Sequence, residues 1–308
     1  MQERFKGFQH QVVDVGEAQL HVWTAGSGEP LLLLHGYPQT HMMWHRVAPV
    51  LAGEYRVIVP DLRGYGDSSC PDAGDDHAGY SKRAMGEDQF QLMDALGYSD
   101  FFLMGHDRGA RVCHQMVLDH PERIRRVILL DIMSTLDMYE NMDMDLATTY
   151  YHWFFLIQGR DFPEKMILHD PAAVVESFIS RMRVQNDVFP DDVMEHYIEK
   201  FSRKEVVHAT CEDYRAAATV DLQHQREALK QAKFKVPMLV LWGTPSLRRF
   251  DVLGLWREKG ENVSGLLVEN SGHYIAEENP GITCRAAQVF FRSGNAVLSE
   301  TELVKIRG

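Results

Sequence analysis

Phe101-Phe102-Leu103-Met104-Gly105-His106-Asp107-Arg108-Gly109 runs directly into Ala110-Arg111-Val112-Cys113-His114-Gln115-Met116-Val117-Leu118. An apolar run, a pentapeptide bounded by glycines and an amphipathic stretch predict a strand, a sharp turn and a helix. In enzymes that attack acyl carbon this unit is a nucleophile elbow, written G-x-S-x-G, a strained turn that exposes the central side chain. Here the central residue is Asp107. A carboxylate is suited to displacing a leaving group at saturated carbon, giving an ester that water must then hydrolyse. The substitution moves the expected chemistry from ester cleavage toward opening of carbon–halogen bonds or epoxides.

Strand-like runs recur on both sides of the elbow, at Pro30–Leu34, Arg56–Pro60, 127–131, Met238–Trp242 and 265–268. Several are apolar without alternation, as in strands buried on both faces of a parallel sheet. Helical patterns at 81–96 and 110–119 separate them. The expected fold class is therefore α/β, a mostly parallel sheet with helices on both faces. Residues 11–15 and 20–24 read as an antiparallel hairpin ahead of it. From 134 to 233 the rhythm becomes helical, rich in Met, Tyr and Phe and broken at Pro163, Pro171 and Pro190. This stretch reads as a helical cap domain inserted over the catalytic turn, with 1–133 and 234–308 forming the core domain. The polar stretch after Arg292 receives no function.

The chain has 308 residues, 45% hydrophobic and 25% charged, with a net charge of −12. It is long enough for a large core. The acidic balance and the absence of a basic run argue against nucleic acid or an anionic membrane surface as partner. Cys70, Cys113, Cys211 and Cys284 show neither C-x-x-C nor metal-ligand spacing and read as reduced cytosolic thiols. No metal or cofactor is expected. The segment Met1-Gln2-Glu3-Arg4-Phe5-Lys6 lacks an apolar signal core, and no apolar run approaches the ~20 residues of a membrane span. A soluble, cytoplasmic protein is expected.

An aspartyl nucleophile needs an oxyanion hole, a base to activate water and an acid to orient that base. Leu34-His35-Gly36-Tyr37-Pro38 closes an early strand where the Tyr37 amide can donate to an oxyanion, with the Arg108 amide as second donor. His35 reads as a structural brace of that turn, and Asp61-Leu62-Arg63-Gly64-Tyr65-Gly66-Asp67-Ser68 as a structural loop. Ser271-Gly272-His273-Tyr274 follows the last strand and precedes a helix, so His273 is the expected base. Nucleophile before histidine is the chain order of this elbow chemistry. For the acid, Asp131 at the end of Ile128-Leu129-Leu130-Asp131 is preferred, with Asp251 as the alternative. Arg108 and Arg111, spaced i and i+3, share a face of the first helical turn, where two guanidinium groups and the helix dipole make an anion site.

These residues resemble the fluoroacetate (haloacetate) dehalogenases of the α/β-hydrolase fold, over about residues 8–291. The motifs are His35-Gly36-Tyr37-Pro38-Gln39, Gly105-His106-Asp107-Arg108-Gly109-Ala110-Arg111, Leu130-Asp131-Ile132, Tyr151-His152-Trp153-Phe154 and Asp213-Tyr214-Arg215-Ala216. The resemblance implies Asp107 as nucleophile, His273 as base and Asp131 as its orienting acid. It further implies Arg108 and Arg111 as ligands of a substrate carboxylate, and His152, Trp153 and Tyr214 as donors to the departing halide. The implied reaction converts a 2-haloacid, fluoroacetate or chloroacetate, to the 2-hydroxy acid, with water as co-substrate and a homodimer as the assembly. Where the family carries a cap Trp that narrows the pocket, this chain has Arg181-Met182-Arg183, which favours chloroacetate or longer 2-haloacids over fluoroacetate.

Two other functions compete. An epoxide hydrolase would share the Asp nucleophile and need phenol donors, for which Tyr214 and either Tyr150 or Tyr151 are available; the paired arginines disfavour it. A catalytically silent binding protein would have no need of an intact nucleophile, base and acid.

Overall fold

The computed structural model describes residues 3–245 and 247–308; Met1, Gln2 and Ser246 lie outside the described residues. Eight strands form one sheet: β1 (Gln9–Asp14), β2 (Gln19–Ala25), β3 (Pro30–Leu34), β4 (Arg56–Pro60), β5 (Phe101–His106), β6 (Ile124–Leu130), β7 (Met238–Trp242) and β8 (Val263–Leu267). Their order is β1-β2-β4-β3-β5-β6-β7-β8. The hairpin β1–β2 joins β4 antiparallel, and every later pairing is parallel. Strand β3 is buried at all five positions, whereas the edge strand β1 is largely exposed. The continuous apolar runs belong to strands covered on both faces, and the polar hairpin sits where one face meets water.

Helices α1 (Ala48–Leu51), α2 (Lys82–Ala95) and α3 (Asp107–Asp119) connect the first six strands. Eight more lie between β6 and β7: α4 (Thr135–Glu140), α5 (Met144–Thr149), α6 (His152–Phe155), α7 (Phe162–His169), α8 (Pro171–Met182), α9 (Asp191–Phe201), α10 (Lys204–Ala218) and α11 (Val220–Ala228). Pro171 opens α8 at its first turn, where a missing amide is harmless. Then come α12 (Val252–Arg257), α13 (Ile275–Glu278), α14 (Pro280–Arg292) and α15 (Glu300–Arg307). Among the described residues no helix is long and apolar enough to cross a membrane.

The sheet order places the site. From β3 the chain goes to one side, to β4, and then returns to the other, to β5. The loops after β3 and β5 therefore diverge, and the crevice between them at the carboxyl ends is the usual ligand position of such sheets. Residues His35–Tyr37, Asp107, Asp131 and His273 all follow carboxyl ends of parallel strands.

Three local expectations are revised. Strand β5 runs two residues further than the apolar tetrapeptide, and α3 begins at Asp107 instead of 110, so strand and helix meet at Asp107 with no loop between them. Strand β6 starts at Ile124 because Arg125 and Arg126 lie at its outer end, where Arg125 pairs with Asp100 and Glu29. The polar C-terminal stretch contains α15, opened by a capping box between Ser299 and Glu302.

Candidate active site

The elbow is tight because its neighbours leave no room for side chains. A Cβ at Gly105 would meet Cys113 Sγ at 2.5 Å, and one at Gly109 would meet the His35 carbonyl oxygen at 2.3 Å. Between them Asp107 takes a φ of +46°, in the left-handed region that non-glycine residues occupy only when their surroundings impose it. Asp131, at the end of the adjacent strand, has φ +54°. Both carboxylates are thus held on backbone bends at strand ends.

His273 lies between them. Its Nδ1 is 2.6 Å from Asp131 Oδ2, and its Nε2 is 3.8 Å from Asp107 Oδ1. A carboxylate can only accept, so the Nδ1 proton is donated to Asp131, and Nε2 faces Asp107. Asp131 also accepts the Gly243 and Thr244 amides at 2.8 and 2.9 Å and the Thr244 hydroxyl. Asp251, the alternative acid, instead caps α12 by accepting the Gly254 amide at 2.9 Å and is exposed. It is not at the site.

Burial alone would raise the Asp107 carboxyl, but His273, His106, Arg111 and Arg108 outweigh it and bring it down to about 2. Burial pushes His273 down, while its bond to Asp131 and the charges of Asp131 and Asp107 more than compensate and raise it. The Tyr37 amide donates to Asp107 Oδ2 at 3.0 Å, leaving Oδ1 on the His273 side. The Arg108 amide opens α3, among the N–H groups that have no partner within a helix. His35 accepts the Leu62 amide at 3.0 Å through Nε2, the bracing part expected of it.

A cavity of about 20 Å³ opens before Asp107. Tyr37, Asp107, His152 and His273 line it with Tyr150, Phe178, Met182 and Tyr274. With Met182 in place it has room for little more than one water. A haloacid, larger than a water, would need Met182 to turn. A groove of about 630 Å³ at the far end of α3, near Asp119, contains none of the site candidates.

Arg108, Arg111, Trp153 and Tyr214 do not line this cavity but stack behind it. The Arg108 guanidinium lies 4.1 Å over the Tyr214 ring, and that of Arg111 lies 4.5 Å over Trp153. Neither arginine is the free fork expected from the spacing. Arg108 donates through Nε and Nη2 to the Asp213 carboxylate at 3.0 and 2.6 Å, and again to its carbonyl. Arg111 donates to the Met133 carbonyl at 3.0 Å and to Thr135. Among the described residues Arg108 Nη1 and Arg111 Nε, both buried, have no hydrogen-bond partner, and neither do His152 Nδ1 and the Tyr214 hydroxyl. Burial and the Arg108 charge bring Arg111 down to about 10, so it remains a cation at neutral pH. Burial holds His152 at about 3, so it is neutral.

Asp213 is the residue that the sequence reading quoted without a role. From α10 it accepts from Arg108, Lys82 and the Tyr65 hydroxyl, all buried, which ties the inserted helices to the core. No local pattern announces a pairing across 105 residues. His106, also missed, donates through Nε2 to the His273 carbonyl at 2.7 Å.

The sequence model of the α/β hydrolase fold matches residues 29–280. The chain is 38% identical to a fluoroacetate dehalogenase of Burkholderia sp, covering 97% of this chain and 98% of that protein. It is 31% identical to a soluble epoxide hydrolase of Corynebacterium sp. (strain C12), covering 92% and 96%. The crystal structure of ALR0039 from Nostoc sp PCC 7120 shares 47% identity at a TM-score of 0.91, over 94% of this chain and 99% of that one.

Proposed function

The chain belongs to the α/β-hydrolase fold family, and within it we propose a haloacetate dehalogenase, hydrolysing a short 2-haloacid to the 2-hydroxy acid and halide. Asp107 Oδ1 attacks the halogen-bearing carbon, forming an ester as the halide leaves. Water activated at His273 Nε2 then attacks the ester carbonyl, whose oxygen Oδ2 is already bonded to the Tyr37 amide. The hydroxy acid departs with Oδ1, and Asp107 is regenerated with an oxygen from water.

The observation that carries this reading is the pair Arg108–Arg111, two buried cations beside an ionised nucleophile, each with one unpartnered N–H. A neutral substrate has no use for them. A carboxylate that brings the reacting carbon to Asp107 does. In the same reading His152, Trp153 and Tyr214 donate to the halide without carrying negative charge, and Asp131 holds His273 in the working tautomer. The small cavity favours the shortest acids, for whose entry Met182 would turn.

Halide release from fluoro-, chloro- and bromoacetate, with haloacetamides and small epoxides as controls, tests it. The acids should react and the amides should not; equal turnover of both would remove the anion site from the mechanism. Fluoride is the most basic leaving group and needs donors most as charge builds. Tyr214→Phe or Trp153→Phe should therefore slow alkylation by fluoroacetate by up to ~2.7–4 kcal/mol, the cost of losing one oxyanion donor, and alkylation by chloroacetate less. Equal slowing would make these residues walls of the pocket and not donors.

The epoxide hydrolase reading keeps one supporting observation, Tyr150 lining the cavity, with its ring and that of a second phenol, Tyr214, each against His152. Diol formation without halide release would select it.

The two steps should also differ in pH dependence. Asp107 stays ionised down to about 2, so alkylation should be level between about pH 5 and 8. Hydrolysis needs neutral His273, so its rate should rise with pH through the His273 pKa. In the ester the Asp107 charge is gone, one of the causes that raise His273. The inflection of the hydrolysis step should therefore lie below the pKa of His273 measured by NMR in the free enzyme; coincidence of the two would mean Asp107 does not influence the base.

A further inference from the structure

The Glu278 carboxylate, 4% exposed, lies one helical turn beyond the base. Its Oε1 accepts the amides of Gly272 and Tyr274, the two residues flanking His273, at 2.9 and 3.2 Å. Its Oε2 accepts the amides of Val184 and Gln185, just after α8 in the inserted helices, at 2.8 and 2.9 Å. Among the described residues no cation pairs with it. Four backbone N–H dipoles fill the four acceptor positions a carboxylate offers.

Other contacts join the same two segments. The His273 amide donates to the Met182 carbonyl at 2.8 Å, and the Gln185 side chain donates to the carbonyls of Asn270 and Glu278 at 2.8 and 3.0 Å. A Cβ at Gly272 would lie 2.3 Å from the Met182 carbonyl oxygen, so the segments touch backbone to backbone. Met182 lines the cavity. Base loop and pocket wall are thus bonded through one carboxylate.

We propose that Glu278 is a positioning residue that fastens the His273 loop to the pocket-wall segment 182–185, so that the base is aligned for ester hydrolysis only while that wall is in place. The proposal rests on the covalent mechanism above for its kinetic part and on geometry alone for the rest. Glu278→Gln keeps the size but turns an NH2 toward one pair of amides, which leaves two buried donors without an acceptor. Alkylation depends on Asp107 and its anion site, while hydrolysis depends on the aim of His273.

In Glu278→Gln, rapid-quench mass spectrometry during turnover of chloroacetate should show hydrolysis slowed relative to alkylation by at least about tenfold, so that the ester accumulates. Equal slowing of both steps, as a mere loss of folded enzyme would give, overturns the proposal. Hydrogen exchange on the substrate-free variant gives a second, mechanism-independent result: the amides of residues 184 and 185 should lose protection together with those of 272 and 274. Loss confined to one segment overturns the fastening. His273→Ala separates the two premises, since absence of an ester there would sink the covalent mechanism while the exchange data still decide the role of Glu278. Should Glu278→Gln not fold, the wild-type protein answers: corrected for intrinsic rates, the four amides should open with one free energy, and two distinct values would overturn the proposal.

Discussion

Asp107→Asn should reduce halide release by at least about 10⁴-fold, the scale on which loss of a covalent nucleophile is felt. Asn is the right replacement because it tolerates the left-handed backbone at this position, where Ala would add strain. The loss can then be read as chemistry, given an unchanged melting temperature. The companion measurement is a single turnover of the wild type in heavy-oxygen water. The Asp107 carboxylate should gain the label, and the first hydroxy acid formed should carry the former Oδ1. Label found in that product with Asp107 unlabelled would mean that water attacks the halogen-bearing carbon directly.

The second large effect is expected at His273. Removing the ring by His273→Ala leaves Asp107, the Tyr37 amide and both arginines in place, so the ester should still form. Its hydrolysis should slow by about 10²–10⁴-fold, the usual contribution of a positioned general base. Intact-protein mass after exposure to chloroacetate should rise by one carboxymethyl group per chain, and peptide mapping should find it on Asp107. An unmodified protein that has lost all halide release would give His273 a part in the first step, contrary to the mechanism above.

Much of this was legible in the sequence, and the residues show why. Strands β3, β4 and β7 were readable to the residue because uninterrupted apolar runs leave few other places to go in a chain of this length. Asp131 was readable because it ends such a run. Strands β6 and β8 were blurred by Arg125, Arg126 and Ser264, where partners outside the strand offset the local pattern. The Ser299-x-x-Glu302 capping box was open to inspection and passed over. Asp213 and Glu278 were not legible in the same way. Each serves groups 105 and 94 residues away, and only the folded chain puts them side by side. The two arginines show the opposite lesson. Their helical spacing was right, but spacing could not reveal that Asp213 had already engaged most of one of them.

That engagement bears on how a substrate gets in. The inserted helices are tied to the core on one flank by Asp213 with Lys82 and Arg108, and on the other by the segment after α8. Lifting them as a body would break buried ion pairs on one side and, on the other, the hydrogen bonds of the Val184 and Gln185 amides to Glu278 together with that of the His273 amide to Met182. Turning Met182 and Phe178 breaks neither. Rotations of single side chains are faster than whole-lid movements, which take microseconds to milliseconds. Under the proposed dehalogenase function the pocket would work as a turnstile: a two-carbon acid would pass when Met182 and Phe178 turn, whereas a bulkier one would wait for the rarer and costlier event. Selection by size is in this way also selection by waiting time, and it should appear in the association rate before it appears in the affinity.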